Sequence, residues 1–110
     1  MKYLEHSPYL RYVDESIFKH AIDLDILGVN EYAWPSDLVI QLIKLTAKNN
    51  LLILGGDVLV MKKGIPSYTG DSWTYQENDV VEGENKSLDY IKRYIDINGP
   101  DFLFAIVVKK

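Results

Sequence analysis

Apolar residues recur three and four places apart in three stretches of the chain and run unbroken in three others. Periodicity of the first kind marks a helix face, and short unbroken runs mark buried strands. Ile17, Phe18, Ala21 and Ile22 predict a short helix over residues 14–23, with Asp14 as N-cap and Gly28 closing the region. "NEYAWPSD" reads as a turn, because Pro35 biases Trp34 away from helical geometry. Ser36 is placed to cap a helix over residues 36–48, whose apolar face is Leu38, Val39, Leu42, Ile43 and Ala47. Asp37 near its start and Lys44 and Lys48 near its end suit the helix dipole, and Asn49-Asn50 ends it. A third helix is predicted over residues 87–98, capped by Ser87, with Leu88, Ile91, Tyr94 and Ile95 inward and Asn98-Gly99-Pro100 as its stop.

Residues 51–54 and 58–61 read as one strand buried on both faces. Lys62-Lys63-Gly64 then turns the chain, and "SWTYQ", residues 72–76, is placed to pair back antiparallel. Residues 77–86 read as a polar loop, and "FLFAIVV", residues 102–108, as a central strand. The expected fold is α+β: a mostly antiparallel sheet covered by about three helices, in a single compact domain over residues 1–110.

Gly55-Gly56-Asp57 interrupts the first strand with residues that strands disfavour. Three explanations stand. The glycines mark a bulge or bend, with Asp57 capping or pairing locally. Another surface approaches the backbone closely there, where a side chain would block it. Or Asp57 is a metal ligand or general base.

Composition narrows the functional classes. The chain has no cysteine, which excludes disulfides and thiolate chemistry. Its net charge of −4 disfavours nucleic acid as a partner. "MKYLEHSPYL" has no apolar signal core, and no run approaches the roughly 20 apolar residues of a membrane span. A cytosolic protein with no membrane partner is therefore expected. Eight tyrosines are generous for a core of 110 residues and suit half-buried surfaces and interfaces.

Charge is unevenly placed. Residues 69–84 carry Asp71, Glu77, Asp79, Glu82 and Glu84 and no base, while Trp73 and Tyr75 sit at strand spacing among them. One reading is a solvated acidic loop anchored in the core by Trp73. The other is a docking face for a basic partner, with Asp57, Asp71, Trp73, Tyr75, Glu77 and Asp79 as contact residues. Such a face is able to imitate nucleic acid and cover a nuclease cleft. No metal site is expected: "DSWTYQEND" departs from the EF-hand loop, and His6 and His20 lie far from the acidic segment. No nucleophile elbow or phosphate loop occurs, and Ser67 and Ser72 lack the context of a catalytic triad. No catalytic residue and no cofactor is expected.

"ILGGDV", followed by "YTGDSWTY" and preceded by the Trp34-Pro35-x-Asp37 turn, resembles the immunity protein 40 family over most of the chain. The matching positions are Gly55, Gly56, Asp57, Trp73 and Tyr75. The resemblance implies a small cytosolic bacterial protein, encoded beside a polymorphic toxin, that binds its cognate toxin and blocks it sterically rather than acting as an enzyme. Two alternatives remain open. One is a metal-dependent or acid–base hydrolase using Asp57 with Asp71 or Glu77, which requires those carboxylates to converge in one pocket. The other is a structural subunit of a secretion or surface assembly.

Overall fold

Asp14 starts the first helix as predicted: in a computed structural model that describes residues 7–109, its carboxylate accepts a hydrogen bond from the Ile17 amide at 3.1 Å. His6 lies outside the described residues. Helix α1 spans only Glu15–Phe18, much less than the predicted 14–23. The chain leaves it to form strand β1 (Ile22–Asp23), because Ile22 is taken up by pairing with Ala33. That partner belongs to β2 (Tyr32–Pro35), a strand where a turn was expected. Pro35 does keep Trp34 out of a helix, but burial of Tyr32, Ala33 and Trp34 draws the segment into the sheet.

Helix α2 covers Ser36–Lys48, as the apolar spacing predicts, with Val39, Leu42 and Ile43 fully buried. Its cap differs. Pro35 occupies the N-cap position, and the Ser36 hydroxyl instead donates to the Pro100 carbonyl at 3.3 Å. Strand β3 (Ile53–Lys62) runs straight through the glycine pair. Lys63 and Gly64, both at positive φ (53° and 79°), form the tight turn into β4 (Ile65–Thr74). β4 thus begins at Ile65, well before the predicted 72–76. Its register against β3 shifts between Asp57 and Leu59, so the simple alternation that would reveal a strand is broken at Thr69–Asp71.

Helix α3 spans Val80–Asn98, so residues predicted as a polar loop are its first two turns. Asp79 caps it, accepting from the Glu82 amide at 3.0 Å, and Ser87 lies inside it. Strand β5 (Leu103–Val108) is central, as expected. The sheet order is β1-β2-β5-β3-β4, and every neighbouring pair is antiparallel, in an α+β fold.

The two faces of this sheet are treated differently. Helices α2 and α3 pack on one face, where Trp34, Val58, Trp73, Phe104 and Ile106 meet Val39, Leu42, Ile43 and Ile91. On the other face, Leu24 with Ile22 and Leu27 covers Ala33, Leu59, Leu103 and Ala105. That cover lies over the β2–β5–β3 part. Toward the free edge strand β4, Tyr68 and Met61 stay exposed.

Candidate functional site

The end of β4 runs antiparallel to α3, and contacts from Asp71, Trp73 and Tyr75 tie the two between Gly83 and Tyr94. Trp73 stacks on Tyr90 with ring centroids 4.9 Å apart, and its indole N–H donates to the Ser87 hydroxyl at 3.0 Å. The Ser87 hydroxyl in turn donates to the Gly83 carbonyl at 2.8 Å, so the buried pair is fully satisfied. One rung further along, the Tyr94 hydroxyl donates to the Asp71 carboxylate at 2.8 Å. At the other end, the Tyr75 ring packs against Gly83, where an added Cβ would lie 3.2 Å from the ring.

Trp73 and Tyr75 are therefore not exposed rings on a docking face: they are 6% and 4% exposed. Strand spacing correctly places them on one side, but that side is the one α3 covers. Their role is to hold β4 against α3. The carboxylates expected beside them do stay outside: Asp71, Glu77 and Asp79 are exposed. Glu82, Asp79 and Glu77 gather round the Tyr75 phenol, and burial, followed by those charges, pushes its pKa above the ordinary tyrosine range. The Asp79 amide donates to the Tyr75 hydroxyl at 3.2 Å. Tyr94 is likewise pushed up, first by burial and then by its bond to Asp71. The result is an acidic ridge on a buried aromatic frame, with Asp71 beside Tyr94 at one end and Glu77, Asp79 and Glu82 round Tyr75 at the other, where the Lys86 ammonium also lies 6.0 Å from the Tyr75 ring centroid.

Gly55 and Gly56 make that frame possible. Gly55 sits at φ 143°, where a Cβ would lie 2.1 Å from the Trp73 carbonyl oxygen. At Gly56 a Cβ would come within 2.3 Å of the Trp73 ring and 2.4 Å of the Ala105 carbonyl oxygen. The register of β3 against β5 also shifts between Ile53 and Gly55. Bulge and close approach thus occur together at the glycine pair.

Asp57 does not join the ridge. It pairs with Ser72 on one side and Ala105 on the other, so it shares their face of the sheet. Asp71, next to Ser72 and bonded to Tyr94 of α3, points to the helix-covered face. Asp57 and Asp71 therefore lie on opposite faces and do not form the first of the two carboxylate pairs, with Asp71 or with Glu77, that the hydrolase reading offers. Among the described residues, no group of three or more His, Cys, Asp or Glu side chains is placed to hold a metal ion. No helix among them is long and apolar enough to cross a membrane.

The face on which Asp57 stands is not legible in the sequence, since a strand with a bulge gives no reliable sidedness. Of Tyr90 and Tyr94, which complete the frame, helical periodicity marks only Tyr94 as inward, and nothing in that pattern singles out Tyr90. The i, i+4 spacing of the two tyrosines is the signal that could have found them together.

The model of the family described as Immunity protein 40 matches residues 23–108, which takes in every strand of the sheet except the first residue of β1. No curated protein matches the chain.

Proposed function

We propose a function from one premise: the chain belongs to the immunity protein 40 family. It acts in the bacterial cytosol as an immunity protein, binding a cognate polymorphic toxin encoded nearby and blocking it sterically. It works by binding, without turnover. The observation that carries this reading beyond family membership is the acidic ridge, where Asp71, Glu77 and Asp79 stand exposed on a frame that Trp73 and Tyr75 lock to α3. Fixed negative charge steers a basic surface into register and raises the rate of encounter. A rigid frame limits the conformational entropy lost on binding. Trp73 and Tyr75 position the ridge and do not themselves meet the toxin.

The test is co-expression with the toxin domain of the neighbouring gene. The full chain should co-purify with that domain and restore growth of cells expressing it. Reversing charge at Asp71, Glu77 and Asp79 together should slow association by about tenfold or more and flatten its salt dependence. A toxin that binds the charge-reversed chain at the original rate would move the contact surface elsewhere. Failure of the wild-type chain to bind or to protect would remove the immunity function itself.

A further inference from the structure

Asp57 stands on the sheet face opposite the helices, in surroundings that leave its charge unanswered. Its cross-strand neighbours are Ser72 and Ala105, and the residue two places before it is Gly55. These side chains are small or absent, so the floor around the carboxylate is shallow. Larger groups stand further out on the same face. Tyr68, paired with Leu59, is 47% exposed, and Val107, paired with Gly55, is 45% exposed. Met61 continues the apolar surface along β3 and is 42% exposed.

Among the described residues, the Asp57 carboxylate has neither a hydrogen bond nor an ion pair, and burial raises its pKa above the usual aspartate value. Tyr68 pairs with Leu59, two places along β3 from Asp57 on the same face, and its phenol pKa is raised first by burial and then by the Asp57 charge. A half-buried carboxylate without a partner costs free energy that a complementary cation would return. Guanidinium suits this place better than ammonium. It binds a carboxylate through two parallel N–H donors, and its flat face stacks on an aromatic ring. The apolar side chains standing around Asp57 would exclude water once a second surface lay over them.

We propose that the open β3–β4 face is a second contact surface for the toxin, on which an arginine of the toxin pairs with Asp57 and lies against Tyr68. Naming the toxin as occupant rests on the immunity reading above. The two surfaces are compatible with one partner. β4 is the outer strand of the sheet, so a partner reaching over that edge touches the acidic ridge on one side and Asp57 on the other.

The experiment uses the full chain and a catalytically dead form of the toxin domain from the neighbouring gene. Asp57→Asn keeps the shape and removes the charge, and Tyr68→Ser removes the stacking ring. Each should raise Kd by about tenfold or more, mainly through faster dissociation, whereas charge reversal on the ridge acts mainly on association. In the wild-type chain, the Asp57 carboxyl followed by NMR should titrate at lower pH in the complex than in the free protein. This second readout does not depend on how any variant folds. Unchanged dissociation for both variants, together with an unchanged Asp57 titration, would overturn the proposal and leave the immunity function standing. Absence of any complex with the wild-type chain would overturn both.

Discussion

The two faces of the β3–β4 hairpin differ in how they treat polar atoms. On the helix side, polar groups are answered from within the chain: in the interior the Trp73 indole by Ser87 and Ser87 by Gly83, and at the margin Tyr94 by Asp71. On the open side, Asp57 is answered by nothing among the described residues. Satisfied groups of the first kind hold a fold together, and their loss is felt as instability. An unanswered group of the second kind weakens the free protein slightly and keeps its interaction energy for a partner. Burial and pairing together, and neither alone, separate scaffold from surface in this hairpin.

That contrast can be broken most severely at Gly56. A valine there forces atoms into the Ala105 carbonyl oxygen and the Trp73 ring, and backbone has little room to yield. Gly56→Val should leave no folded population at 25 °C, seen as loss of the cooperative urea transition. Trp73→Ala comes next: it empties a buried site and strips the Ser87 hydroxyl of its donor. A loss of about 3–5 kcal/mol is expected from urea unfolding, a large share of a small domain's stability. Ser87→Ala isolates the polar part, leaving the indole N–H unpaired at a cost of about 1–3 kcal/mol. In a double-mutant cycle with Trp73→Phe the two losses should fail to add, because they remove the same bond.

The open side should respond in the opposite direction. Because burial raises the Asp57 pKa, the folded chain binds that proton more tightly than the unfolded chain does. Stability therefore falls as pH rises from the ordinary aspartate range through the raised value, and the deficit is fully present at neutral pH. Asp57→Asn should be slightly more stable than wild type at pH 7, by no more than about 0.5 kcal/mol, and the gap should close below about pH 3. Thermal unfolding across that range checks the sign. A loss of stability at neutral pH would mean that Asp57 is paired within the chain after all.

Legibility in the sequence followed the same division. Helix α2 could be placed to the residue because Val39, Leu42 and Ile43 repeat at helical spacing against a polar back. β5 was readable because its apolar run has no polar break. α3 was placed only from Ser87 onward. Its first two turns carry Glu82, Gly83, Glu84 and Asn85, a composition of loops, and only part of what makes them helical is local: Asp79 caps the end, while Tyr75 packs on Gly83 from beyond the helix. β2 is illegible in the sequence because four residues ending in proline carry no strand pattern by themselves. Trp34 becomes a strand residue only opposite Phe104. For the site, the acid positions were readable as composition. Which side of the sheet each one faced was not, because the irregularities next to Gly55 and at Thr69–Asp71 reset the alternation.

The place of β5 in the sheet has a consequence for synthesis. It follows the other four strands in the chain yet sits third among them, between β2 and β3. Until residues 103–108 leave the ribosome, the β1–β2 pair and the β3–β4 hairpin are separate pieces, each with a bare inner edge. Such edges are templates for unwanted pairing with other nascent chains. Assembly of the sheet must wait for β5 and then close around it, so a chain truncated before residue 103 leaves both inner edges bare.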